Sequence, residues 1–143
     1  MKRILIIFAL LLASLTSYSQ LPKQLEKYYT NKFASIIKGK TQQYIPLNKR
    51  YVDIVTDTLA IEVEFANKFL ESIGQSLDYA VLLNKKPCIL LIVNGKNDEN
   101  YLAELMRVNV EYQLKIRIYL WDYTTDKWCK VDEFHQYSYS YQF

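Results

Sequence analysis

Three acidic residues, Asp53, Glu62 and Glu64, sit on two short apolar runs that flank Thr56-Asp57-Thr58. The runs, Tyr51 to Val55 and Leu59 to Phe65, are rich in Val, Ile and aromatic residues, as strands are, and the triplet between them suits a tight turn. A hairpin centred on Asp57-Thr58 would set Thr56 opposite Leu59 and Asp53 opposite Glu62. Directly opposed side chains share one sheet face, with Cβ atoms roughly 4.5–5.5 Å apart. Glu64 lies two residues beyond Glu62 and points the same way. Like charges opposed on a sheet repel, and a divalent cation would bridge them. Hard oxygen ligands suit magnesium, manganese or calcium, and a bound magnesium would activate water and neutralise charge on a phosphoryl group. The same hairpin also suits a plain solvated face that happens to carry three acids.

The segment after the hairpin weighs on the side of chemistry. Lys68, Ser72, Gln75 and Tyr79 are spaced by four, three and four, one stripe of a helix, and Phe69, Ile73, Leu77 and Ala80 form a second, apolar stripe. Lys68 is four residues after Glu64 and within reach of the acids. A further carboxylate, Glu26, falls on the apolar arc of an earlier helical pattern, where an acid needs a partner.

These side chains have to be positioned by a small set of elements. Leu21 to about Lys38 predicts a helix, closed by Gly39. Tyr44 to Leu47 is a short strand candidate ahead of the hairpin. Ala66 to Asn84 predicts a long helix, and Cys88 to Val93 a strand buried on both faces. Asp98 or Asn100 would cap a helix that runs to about Val108. Leu114 to Trp121 predicts a strand, Asp122 to Asp126 a turn, and Trp128 to Val131 an edge strand. The order helix, three strands, helix, strand, helix, strand predicts an α/β fold. Its sheet is mixed and flanked by helices, antiparallel in the first half and parallel in the second.

In this order and in these residues the chain resembles the PD-(D/E)XK nuclease superfamily, with its restriction-endonuclease-like αβββαβ core. Asp53 matches the family's strand Asp, and Glu62-Val63-Glu64 its acid-x-Lys tripeptide. Gln75-Ser76-Leu77-Asp78-Tyr79 matches the Gln-x-x-x-Tyr that some branches carry on the next helix, and Glu26 stands where many members have a first-helix Glu. Arg50 to Ala80 also looks like a small family of uncharacterised proteins with this acidic hairpin. The motifs cover Asp53 to Tyr79, and the element order covers nearly all the chain beyond its leader. One departure is plain: the family's Lys is Glu64 here, and Lys68 fits a migration of that cation to the neighbouring helix.

The resemblance implies a nuclease that hydrolyses phosphodiester bonds with Mg2+ or Mn2+, acting on nucleic acid, DNA before RNA. Glu26, Asp53 and Glu62 would hold the metal. Asp53, Glu62, Glu64 and Lys68 would be catalytic, with Glu64 as a further ligand or general base. Gln75, Tyr79 and Arg50 would contact substrate, and Lys49, Lys85, Lys86 and Lys96 would add phosphate contacts. The alternatives are a catalytically inactive binding or interaction protein of the cell envelope on the same fold, and an envelope protein whose acids bind calcium for stability alone.

Composition sets the outer bounds. Met1-Lys2-Arg3, the apolar run Ile4 to Leu12 and Ser17-Tyr18-Ser19 form the three parts of a secretory signal. Residues 1–19 are therefore expected to be a signal peptide and 20–143 one domain, exported to the periplasm or the extracellular space. The apolar run is too short for a stable membrane anchor. The formal net charge is +3, and loss of Lys2 and Arg3 with the leader leaves one more base than acid, which excludes nucleic-acid binding by bulk charge. A single small domain of this kind is compatible with a homodimer. Cys88 and Cys129 suit either a disulfide or two buried thiols. His135, the only His, gives no support to a Ser or Cys nucleophile mechanism. The alternating tail Tyr137 to Phe143 predicts an edge strand or a loose end.

Overall fold

The computed structural model describes residues 26–131. The expected signal peptide, His135 and the alternating tail lie outside the described residues. A first helix, α1, runs over residues 26–37. It is followed by β1 (Lys40–Ile45), β2 (Arg50–Val55) and β3 (Leu59–Phe65). A 3-10 turn (Ala66–Lys68) leads into α2 (Phe69–Leu83), then β4 (Lys86–Val93). A second 3-10 turn (Gly95–Asp98), α3 (Glu99–Glu111), β5 (Arg117–Asp122) and β6 (Lys127–Val131) complete the fold.

The six strands form one sheet in chain order. β1–β2, β2–β3 and β5–β6 pair antiparallel, whereas β3–β4 and β4–β5 pair parallel. The parallel pairs are the ones joined through helices, because a parallel return needs a crossover long enough to hold one. The protein is therefore α/β with a mixed sheet, as the order of elements predicts. β4 lies between two parallel neighbours, and every residue from Cys88 to Val93 is buried. Its unbroken apolar run is the signature of a strand covered on both faces.

Two cores result. Tyr29, Phe33 and Ala34 of α1 pack with Ile61, Val63, Leu90, Ile92 and Trp121 on one face. Phe69, Leu102 and Leu105 of the later helices pack with Ile89, Leu91, Ile118 and Leu120 on the other. A satellite of Ile45, Val52, Ala60 and Tyr79 extends the second face toward β1. Strand residues thus alternate between faces, as their two-residue period requires.

Differences from the sequence expectation are local. The first strand starts at Lys40 rather than Tyr44, and Leu47, expected in it, lies in the following turn and is highly exposed. The run Lys40–Gln43 is polar because it is an edge strand with little to cover it. The helix expected from Ala66 begins with a 3-10 turn, so Lys68 precedes α2 instead of riding on it. α2 closes at Asn84, which adopts the left-handed conformation (φ 51°), and Lys85 N–H donates to Ala80 O at 2.9 Å. Both cysteines are free: Cys88 packs into the α1-side core and Cys129 against the α3-side core, so they face opposite sides of the sheet. Among the described residues no helix is long and apolar enough to cross a membrane.

Candidate acidic site

The hairpin forms in the expected register. Ile54 pairs with Ile61 and Val55 with Ala60, the spacing that carries Asp53 toward Glu62. The turn is held by Thr56, whose Oγ1 accepts the N–H groups of Thr58 (3.3 Å) and Leu59 (3.0 Å), while its own N–H donates to Leu59 O at 3.0 Å. Threonine supplies this side-chain acceptor because its hydroxyl reaches its neighbours' amides in a turn.

The pairing stops at Asp53. Val52 belongs to the α2-side cluster and Ile54, two residues on, to the α1-side core, so the strict alternation of β2 breaks between them. Asp53 Oδ2 accepts the Val63 N–H at 2.9 Å, and Gln42 Nε2 donates to Asp53 Oδ1 at 3.1 Å. A side-chain carboxylate therefore takes a place that a backbone carbonyl would hold in a regular ladder. Gln42 reaches it from β1 with a left-handed backbone (φ 52°). It is a site residue the sequence reading missed, since a glutamine in a polar edge run carries no periodic signal.

Glu62 and Glu64 are both buried, each 6% exposed, on the face covered by α2. Burial first, then the charges of Asp53, Glu64 and Glu26, push Glu62 up to about 9. Asp53 is half-buried and is raised to about 6 by burial, against the lowering effect of the Val63 and Gln42 hydrogen bonds, with Glu64 raising it further. Three of the four expected acids are thus within electrostatic reach of Glu62, Glu26 being the most weakly coupled. Glu64 Oε1 accepts the Phe65 N–H at 2.9 Å and faces Lys68 Nζ at 3.5 Å. Lys68 does return to the acids, as its spacing predicts, and it stays half-exposed.

The helix residues close the site. Tyr79 is 3% exposed, and its hydroxyl donates to Gln75 Oε1 at 3.4 Å, a long bond. Burial, then the charges of Glu62, Asp53 and Asp78, raise the Tyr79 phenol, while Arg50 lowers it. Arg50 lies 3.8 Å from Asp78, which also accepts from Asn48 Nδ2 at 3.1 Å, and so stands at the rim beside Tyr79. Ser72, expected on the polar stripe, is instead buried, and its hydroxyl donates to Phe69 O at 2.8 Å. The site thus gathers Asp53, Glu62, Glu64, Lys68, Gln75, Tyr79, Arg50 and, more distantly, Glu26. Of the expected phosphate contacts, Lys85 is drawn away to the Asp57 carbonyl, which its Nζ meets at 2.9 Å.

The donor set is all oxygen and acidic, which fits a hard divalent cation. Among the described residues no three His, Cys, Asp or Glu side chains form a group spaced to hold a metal ion. What the hairpin offers is the Asp53–Glu62 pair. Magnesium is ordinarily held by one or two carboxylates, keeping its other positions for water and substrate phosphate.

Comparison with known proteins supplies no identity: no family model, curated protein or solved structure matches this chain.

Proposed function

We propose that this protein is a divalent-metal-dependent nuclease that hydrolyses phosphodiester bonds in DNA or RNA, with Mg2+ or Mn2+, on a restriction-endonuclease-like αβββαβ core. The observation that carries the reading is the pairing of half-buried Asp53 with buried Glu62, raised to about 6 and about 9, beside Gln75 and Tyr79. Burying mutually repelling acids costs stability, and perturbed carboxylates gathered in a cleft are candidates for a functional site. Asp53 and Glu62 would hold the ion, with Glu26 assisting. When bound, the metal would supply an activated water and neutralise phosphoryl charge. Glu64 accepts a proton from the attacking water. Lys68 stabilises charge that develops on the phosphate, and Arg50, Gln75 and Tyr79 orient the substrate from the rim. The leader at residues 1–19 would send the enzyme to the periplasm or beyond, where its substrate is free nucleic acid.

The test uses single- and double-stranded DNA and RNA with magnesium, manganese, calcium or EDTA, for the wild type, Asp53→Ala and Glu62→Gln. Cutting in magnesium or manganese that EDTA and both substitutions abolish is the expected result. Cutting that survives EDTA, or survives both substitutions, refutes the assignment.

One observation favours a second reading, a catalytically inactive nuclease-fold protein that binds a partner in the cell envelope. Glu64 stands where the family carries Lys, and its carboxylate is taken up by the Phe65 N–H and by Lys68. Lys68 is thereby partly neutralised instead of facing a phosphate. Saturable nucleic-acid binding without turnover, in the same reactions, would decide for it.

A further inference from the structure

β1 and β2 leave their shared ladder at the same place. Thr41 pairs with Ile54 and Gln43 with Val52, so the register is the same on both sides of a gap, and the residues that meet across the gap are Gln42 and Asp53. No residue is inserted, so this is not a bulge, in which two residues of one strand oppose one of the other. Among the described residues Gln42 alone lies inside a strand with a left-handed backbone (φ 52°). That conformation is costly for a residue with a Cβ, and it persists where the surroundings determine it, often at functional sites. Here a side-chain bond crosses the gap: Gln42 Nε2 donates to Asp53 Oδ1 at 3.1 Å. On the other flank, β2 pairs with β3 through Ile54 and Val55, and beyond them the Val63 N–H donates to Asp53 Oδ2 at 2.9 Å. One carboxylate is thus held by a donor from each neighbouring strand.

We infer that Gln42 is a positioning residue: with the Val63 N–H it fixes the Asp53 carboxylate in the orientation in which that group meets a divalent cation. The inference rests on the metal-dependent reading proposed above and assigns a role that the reading leaves open. The two bonds take one lone pair from each oxygen, and an ionised carboxylate has about four such sites, so both oxygens keep a lone pair for an ion. A carboxylate that ligates a metal is ordinarily oriented by bonds of this kind, and loss of such a partner weakens metal binding about 10- to 100-fold. An amide suits the place because it donates without adding charge, whereas a further carboxylate there would repel Asp53. Gln42 is exposed, which sets its expected effect at the lower end of that range.

The experiment compares the full wild-type chain with Gln42→Gly and Gln42→Met. Both variants lose the donor. Glycine adopts the left-handed backbone without strain, whereas methionine keeps both the strain and the length, so the glycine variant should have the higher urea midpoint in EDTA. Mn2+ affinity, read from the free-ion signal in electron paramagnetic resonance, should nevertheless fall about tenfold in both. In the metal-free protein the Val63 amide resonance should move in both, since Asp53 Oδ2 is its acceptor. A loss of Mn2+ affinity that follows the urea midpoint instead of the missing donor would overturn the inference. Unchanged Mn2+ affinity, or a Val63 amide that stays in place, would do the same, and all three results leave the metal reading intact. A wild type that takes up no Mn2+ saturably would overturn the metal reading itself, and with it the role of Gln42 toward the ion.

Discussion

Replacing Glu62 by glutamine should make the metal-free protein more stable at neutral and alkaline pH and leave it unchanged at pH 4. Glu62 is pushed from an ordinary 4.5 up to about 9, first by burial and then by Asp53, Glu64 and Glu26. At pH 7 the unfolded chain has therefore released this proton while the folded protein still holds it. Folding takes up a proton throughout the interval from 4.5 to about 9, so stability falls as pH rises through it. Below that interval both states are protonated and the full stability is present; above it both are ionised and the loss is complete. From 4.5 to pH 7, at about 1.36 kcal/mol per pH unit, the loss is about 3 kcal/mol. Asp53, raised from 3.8 to about 6, adds a loss of the same sign over its own narrower window. When Asp53 ionises, Glu62 still holds its proton, so the pair carries one charge at neutral pH. Glutamine keeps the shape and cannot ionise, which removes the Glu62 part of the slope.

Urea unfolding in EDTA at pH 4, 7 and 8.5 would measure this. The wild-type and variant curves should coincide at pH 4 and separate by about 3 kcal/mol at pH 7, and by more at 8.5. A wild type that gains stability from pH 5 to 8, or a variant that is no more stable at 8.5, would refute the account of the site as buried and mutually repelling. Magnesium provides a separate arm. At a hundredfold excess over its dissociation constant it should stabilise the wild type by about 2.7 kcal/mol and the variant by much less. Failure of that arm alone would remove the metal and leave the burial argument standing.

Asp53→Ala should destabilise by about 1–3 kcal/mol because it leaves the Val63 N–H without its acceptor, and Asp53→Asn should recover most of the loss in the same unfolding assay. Asn109→Ala strips both the Ile116 N–H and its carbonyl of a buried partner. Its cost should be about 2–4 kcal/mol, read as a lower thermal midpoint with no change in hairpin chemistry. Both thiols should react with a thiol reagent in denaturant without any reductant, since Cys88 and Cys129 are free. In the folded protein Cys88 should be inert, because burial pushes its thiol up to about 12; one bond's worth of missing thiol would show a disulfide instead.

The acidic hairpin was legible because its determinants are local. Thr56 and the β-branched runs on either side fix turn and register together, and the register alone carries Asp53 to Glu62. The break at Asp53 was not, because it depends on Gln42, a residue in an edge strand whose polar run has no period to read. Ser72 misled for a related reason. Its hydroxyl returns to the carbonyl of Phe69, so a residue that looks like part of a polar face is satisfied inside the helix and can be buried. The gathering of basic residues near the starts of β4 and β5 was invisible for a third reason, distance along the chain. Lys85 and Lys86 end one crossover, Lys115 and Arg117 end the next, and Lys130 lies on the edge strand. The parallel register sets Arg117 beside Cys88, two residues on from Lys86, and the antiparallel return sets Lys130 opposite Tyr119. Each lysine alone reads as solvated surface. Topology brings them to one end of the sheet, a placement that no local pattern in the sequence carries.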